Sequence, residues 1–242
     1  MHFGGAMFFT DYSMSAPELA RALEERGFES VWAPEHSHIP LSRKTPFPGG
    51  GDLPKPYYDA MDPFVVLAAA AQATRKIKIG TGVVLIQQRD AIQTAKLVAS
   101  IDQVSQGRFL LGVGGGWNQD EMEDHGTVYA TRFKRVRESI EAMKEVWTKE
   151  KAEYHGEFVN FDPMIARPKP VQNRIRRSMS EALSRKADGA RSAMAMAGFQ
   201  VAISARSCRN SATRRRRLAA IRLRSRSPRS PSARSRPGEA PQ

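Results

Sequence analysis

Strand-like and helix-like runs alternate through the first 172 residues, and this alternation restricts the fold more than any other feature of the sequence. "HFGGAMFF" reads as a first strand. "SAPE" then offers a capping box, with Ser15 as N-cap, Glu18 three residues on and Pro17 in the first turn. Leu19, Ala22, Leu23 and Arg26 carry that helix forward, and Gly27 stands where a left-handed residue ends it. "SVWAP" is a second strand, and Asp62-Pro63 opens a second helix that runs to Gln72. "KIKIGTGVVLI" alternates and then turns wholly apolar, the pattern of a strand buried on both faces. Residues 90–106 form a third helix closed by Gly107, "RFLLGVG" is a fourth strand, and Phe133, Val136, Ile140, Met143 and Trp147 space a fourth helix. Strand centres near Phe3, Val31, Ile77 and Phe109 lie roughly one βαβ unit apart, with one long insertion after the second. Repeated βα units imply a parallel sheet, either open and doubly wound or closed as a barrel, and periodicity does not choose.

The alternation stops near Gln172, and the charge changes with it. The whole chain carries a formal +13, yet residues 173–242 hold 18 of the 38 Lys and Arg and only 3 of the 25 Asp and Glu. Residues 1–172 are therefore close to neutral, at −2. Past the break Phe199 is the only aromatic, and the chain runs through Arg214 to Arg217 into "RSRSPRSPSARSR". Such a composition buries too little apolar surface to offset its ordering entropy, so a disordered basic tail is expected. Arg clusters bind phosphates weakly and without sequence preference, and no stacking aromatics accompany these, so no specific nucleic-acid partner is expected. The sole cysteine, Cys208, excludes a disulfide framework within one chain. The N-terminus lacks the basic and apolar regions of a signal peptide, and "FVVLAAAA" is too short to span a bilayer. A cytoplasmic protein without a membrane partner is expected.

Ligands of parallel α/β proteins sit beyond the C-terminal ends of the strands. Three of those ends carry unusual residues: "WAPEHSHIP", "GTGV" and "GVGGGWNQDE". Together with the N-terminal FG strand, "IKIGTGVVLIQQR", "GRFLLGVGGGW" and the later "YHGEFVNF" and "PKPVQ", they resemble the luciferase-like monooxygenase superfamily. The closest likeness is to its deazaflavin (coenzyme F-420)-dependent oxidoreductase branch. The resemblance covers residues 1–172 almost without gap, and the order and spacing of the elements make it specific. It implies a TIM-like (β/α)8 barrel, of which residues 1–172 form the N-terminal half. It also implies an oxidoreductase that moves hydride to or from a small organic substrate, with coenzyme F-420 as cofactor and FMN as the alternative. For the intact family member it leaves a homodimer open.

Residue by residue, the resemblance makes His36 the base or proton donor facing the cofactor ring, a role suited to an imidazole titrating near neutral pH. The alternative is a histidine hydrogen-bonded for packing. Glu35, one residue earlier on the strand, points to the opposite side. His36 and His38 have no cysteine or second cluster beside them, so no metal is expected. Thr81, Gly82 and Val83 fall where the branch often carries a non-prolyl cis peptide against the ring, and an ordinary glycine bulge is the alternative. "GVGGGW" lacks the third glycine of a dinucleotide fingerprint, so Gly112 and Gly114 read instead as a bare strand end that a flat ring can approach. Trp117 walls that pocket or belongs to the core, and Asn118 and Glu121 offer polar edges, with a solvated helix start as the other reading of Glu121. Glu123 and Asp124 read as that solvated helix start. The Pro- and Gly-rich insertion after the second strand reads as a lid or substrate wall, with Phe47, Tyr57 and Tyr58 as its contacts.

A closed barrel needs four more βα units, and the family continues after "PKPVQ" with text close to "KPHPPIHVGGAFP" and later "YGDGWLP". Here the chain reads "NRIRRSMSEALSR" and "AMAMAGFQ". Shifting the second segment by two bases forces two glycines and permits Tyr-Gly-Asp-Gly-Trp-Leu-Pro throughout. Losing one A from CAG AAA CCG gives the Gln-Asn-Arg of 172–174. The reading is a frameshift at Gln172, with residues 173–242 out of frame. The competing class of function is a non-catalytic barrel fragment whose basic tail binds nucleic acid non-specifically.

Overall fold

The computed structural model describes residues 3–172; the expected disordered tail lies outside them. Strand β1 (Gly4–Ala6) leads to helix α1 (Ala16–Glu25), β2 (Ser30–Ala33), α2 (Pro63–Gln72), β3 (Lys78–Thr81), α3 (Ala91–Val104) and β4 (Phe109–Leu110). A short α4 (Gln119–Asp124), a long α5 (Arg132–Thr148) and a hairpin of β5 (Ala152–His155) and β6 (Asn160–Met164) follow. The helices begin where the caps place them. Ser15 and Glu18 form a reciprocal capping box, the Asp62 side chain accepts from the Phe64 and Val65 amides, and Asp90 accepts from Gln93. Gly27 and Gly107 end α1 and α3 with φ of 75° and 78°.

The four strands pair in parallel in the order β1-β2-β3-β4. Their register aligns Gly5, Val31, Ile79 and Phe109 in one row. Val31, Ile79 and Phe109 are fully buried, with α2's Phe64 ring 6.0 Å from that of Phe109. Gly5 is glycine because α1 comes so close: a Cβ there would lie 2.6 Å from Leu23. The next row aligns Ala6, Trp32, Gly80 and Leu110. The Trp32 indole lies over Gly80, whose added Cβ would meet the ring at 2.4 Å. Leu67, Ile77, Ile79, Val98, Met143 and Trp147 complete a core in which each large side chain contributes about 1.5–3 kcal/mol. Four sequential parallel strands are half of a TIM-type barrel.

The structure departs from the sequence reading in four places. The apolar run "VVLI" does not continue β3, which stops at Thr81; residues 86–88 form a 3₁₀ turn, and only Val84 bridges back, to Val113. Phe133 heads α5 but is 51% exposed, whereas Val136, Ile140, Met143 and Trp147 are buried as their spacing requires. A hairpin of β5 and β6 stands where the sequence reading has no strands; Ala152 is buried, and Phe161 and Met164 pack partly against the core. Glu121 is fully buried rather than solvated, while Glu123 and Asp124 are exposed as expected.

At the far end Gln172 is tied down. Its amide N–H and side-chain Nε2 donate to the two oxygens of buried Asp102, both at 2.9 Å, and Nε2 also reaches the Phe109 carbonyl at 2.8 Å. No helix among the described residues is long and apolar enough to cross a membrane.

Candidate functional site

The end of β2 turns through Pro34 and sends consecutive side chains in opposite directions. Glu35 is buried and accepts from the Leu85 amide at 2.5 Å and from Arg89 Nε at 2.6 Å. Arg89 also reaches Asp62 at 2.5 Å; burial works against its charge, but the hydrogen bonds of the two carboxylates prevail and raise its pKa. His36 turns the other way. Its Nδ1 lies 2.8 Å from Oε2 of Glu121, whose other oxygen accepts the Ser37 amide at 3.1 Å. The His36 side chain is 8% exposed and that of Glu121 is 0%. An ionised carboxylate only accepts, so Nδ1 is the donor in this bond, and a neutral imidazole held this way would present Nε2 as an acceptor.

Around His36 four rings close a circuit. Tyr57 is 5.2 Å from His36, Phe47 5.3 Å from Tyr57, Trp117 5.9 Å from Phe47 and 6.0 Å from His36. Phe8 backs Tyr57 at 4.5 Å. Burial raises the Tyr57 phenol above its ordinary pKa. Phe47 and Tyr57 come from the insertion, which the structure thus folds onto the strand ends. Tyr58 does not join them and is 48% exposed.

The third and fourth strand ends meet beside Trp117. The peptide between Gly82 and Val83 is cis, the conformation the resemblance implies there. The Thr81 side chain is turned to its neighbour strand, donating to the Gly112 carbonyl at 2.8 Å and accepting from the Gly112 amide at 2.9 Å. The two glycines have a reason inside the fold: a Cβ on Gly112 would stand 2.1 Å from the Thr81 carbonyl oxygen, and one on Gly114 2.4 Å from Val83. Gly82, Val83 and residues 111–117 are all half-buried, so an apolar, uncharged strip remains open at the strand ends. That strip suits the face of a flat ring. Asn118 is 3% exposed and caps α4 without a side-chain bond, its Nδ2 being buried without a partner.

Further out, Ser37 Oγ lies between His38 Nδ1 at 2.9 Å and His125 Nε2 at 2.8 Å, and His38 Nε2 pairs with Asp124 at 2.9 Å. Among the described residues no group of three or more His, Cys, Asp or Glu could hold a metal ion. Sequence reasoning missed the pairing of Glu121 with His36, Asp120 altogether, and Phe8 as a wall. The signal for Glu121 was present: Asn118, Glu121 and Met122 share one helical face, and all three are buried.

Residues 11–232 match the family described as luciferase-like monooxygenase. An uncharacterized protein of Mycobacterium tuberculosis is 43% identical over 178 residues, 72% of this chain and 63% of that protein. The chain thus spans less than two thirds of this relative's length. The crystal structure of the monooxygenase RslO1 from Streptomyces bottropensis superposes with a TM-score of 0.60 at 28% identity, covering 72% of this chain and 51% of that one. The coenzyme F-420-dependent tetrahydromethanopterin reductase of Methanopyrus kandleri shares the fold, with a TM-score of 0.54 at 23% identity over 71% of this chain and 47% of its own.

Proposed function

The chain belongs to the luciferase-like monooxygenase family, and from that membership we propose that residues 1–172 form the proton-transferring half of a deazaflavin-dependent oxidoreductase. The observation that carries the reading is the His36–Glu121 pair at 2.8 Å, walled by aromatic rings at the C-terminal end of the sheet. Glu121 fixes the Nδ1–H tautomer and orients the imidazole, so Nε2 takes the proton from a substrate hydroxyl or returns it. The walls of Phe47, Tyr57 and Trp117 keep water from that exchange. The open strip of Gly82, Val83, Gly112, Gly114 and Trp117 would hold the cofactor ring, with Asn118 at its polar edge. Thr81 would act one step back, by joining the two strand ends. When bound, coenzyme F-420 supplies a hydride acceptor, and the alternative, FMN, one that also reacts with oxygen. The substrate is a small organic molecule of the intact cytoplasmic enzyme. A homodimer is proposed for that enzyme, because α2 is apolar all round yet leaves Val65 69% exposed.

The frameshift at Gln172 belongs to the same proposal. Codon agreement in two separate segments supports it, and so does a relative's identity that extends over 178 residues and not the full 242. The family match itself runs to residue 232, so the DNA decides. Resequencing across codon 172 should show one missing base; an intact frame sinks this part of the reading. The second reading, a fragment without catalysis, is favoured by the four strands described, since TIM-barrel phosphate sites follow the seventh and eighth. Fluorescence titration with coenzyme F-420 and with FMN separates them. The frame-restored protein should bind one of the two at least tenfold more tightly than this chain. Equal affinities for both proteins would overturn the frame-based account.

A further inference from the structure

The insertion that carries Phe47 and Tyr57 has no regular structure of its own between residues 37 and 54, yet it lies folded against α4. Ser37 and His38 tie its start to His125 and Asp124, and a second cluster centred on Asp120 holds its middle. Asp120 Oδ2 accepts from Ser42 Oγ at 2.5 Å and from the Lys44 amide at 2.8 Å, and Thr45 Oγ1 accepts from the Gln119 amide at 3.1 Å. Lys44 Nζ stands 3.8 Å from Oδ1 of Asp120 and 3.5 Å from Glu123. The Asp120 side chain is 3% exposed, in contrast to its neighbour Glu123 at 39%. A carboxylate that deeply buried is retained only if donors reach it, and both donors come from the insertion. Between them Arg43 adopts φ 48°, a conformation uphill for any residue with a Cβ, so the flanking bonds to Asp120 must hold it.

The placement of this anchor matters for the site. Phe47 follows Thr45 by two residues, and Trp117 precedes Asp120 by three. The strap and α4 are therefore joined immediately beside the Phe47–Trp117 contact. We propose that Asp120 is a positioning residue: its carboxylate clamps Ser42 and Lys44 onto α4 and so seats Phe47 as the movable wall of the His36 recess. The rings of Tyr57, Phe47 and Trp117 gathered beside His36 carry no charge, so this wall suits the flat apolar body of a substrate. This rests on the reading of His36 given above, but the clamp is physically separate from proton transfer.

The test uses the full chain and needs neither cofactor nor turnover. Limited trypsin digestion, mapped by mass spectrometry, reads opening of the strap at Arg43 and Lys44, with Lys96, exposed on α3, as a site shielded by regular helix. Asp120→Ala should raise cleavage at Arg43 and Lys44 by roughly tenfold or more while Lys96 stays protected, because cleavage follows the population of the open form. Ser42→Ala should raise it less, and Glu123→Ala should leave it unchanged. Proton NMR of the His36 ring gives the second readout. Asp120→Ala and Phe47→Ala should move the His36 ring-proton chemical shifts at one fixed pH in the same direction, as the ring circuit opens. Unchanged cleavage at Arg43 and Lys44 overturns the clamp, and so does equal loosening at Lys96. A His36 chemical shift that responds to Phe47→Ala but not to Asp120→Ala removes the link between clamp and wall. An inactive frame-restored enzyme with both readouts as expected would instead refute the role of His36 and leave the clamp standing.

Discussion

Helices α1 and α4 both open with acidic residues, and the two starts are satisfied in different ways. In α1, Glu18 returns to the Ser15 amide at 3.2 Å and accepts the Ser15 hydroxyl at 2.9 Å, a bond set closed within three residues and left in water. In α4, Asp120 and Glu121 are buried and take their donors from residues 76 to 85 positions earlier. A carboxylate served by its own turn stabilises a helix end. One served by a distant loop holds two parts of the fold together and can set the state of a functional group. The same residue type at the same helical position thus performs local capping in one place and long-range organisation in the other.

The largest test of that contrast is catalytic. In the frame-restored enzyme His36→Ala should lower turnover roughly 10²–10⁴-fold, the range for a positioned acid or base, while His38→Ala costs little. Single-turnover reduction of the bound cofactor measures both, and near-normal transfer in His36→Ala would remove the imidazole from the mechanism. Next is the stability of α4's buried acid. Glu121→Ala leaves His36 Nδ1 and the Ser37 amide without their acceptor, which should cost about 2–4 kcal/mol in urea unfolding. A loss under about 1 kcal/mol would mean that water replaces the carboxylate freely. For the local cap, Ser15→Ala should cost only about 1 kcal/mol by the same measurement. A value as large as that for Glu121 would erase the distinction.

The smallest effect is a pH dependence. The Ser15 hydrogen bonds hold the Glu18 carboxyl below its ordinary pKa. A depressed carboxyl adds stability that is full above its unfolded pKa of about 4.3 and is lost as pH falls through the lower folded value. Thermal unfolding of the wild type and Glu18→Gln should therefore differ by a constant amount from pH 7 to 5, and the gap should close on further acidification. A gap that widens in acid would reverse the assignment of the bond.

The same contrast explains which parts of the fold were legible in the sequence. Ser15, Asp62, Gly27 and Gly107 mark helix ends through groups within a few residues, and all four do so in the structure. Strand spacing placed Val31 and Phe109 in the buried row, but it centred the first and third strands on Phe3 and Ile77, where the register has Gly5 and Ile79 and leaves Phe3 57% exposed. The burial of Asp120 and the partner of Glu121 were not legible, because nothing nearby in sequence names His36, Ser42 or Lys44. Gly112 and Gly114 were recognised as required to be glycine, but the requirement comes from Thr81 and Val83 on the next strand. Phe133 kept the helical period of α5 and still lies half outside, with its ring against Gly115, since the period places a residue on a face without supplying what covers it.

Gln172 offers a use for protein construction. With its amide and side chain fixed to Asp102 and to the Phe109 carbonyl, the backbone leaves the sheet from a set point with a set heading beside β4. Any segment grafted after residue 172 starts from a mooring instead of a loose end, and its first strand has only its own residues to order before it meets the open edge of β4. The site is thus a natural junction for exchanging C-terminal halves between relatives, and Asp102 is the residue to preserve in every such chimera.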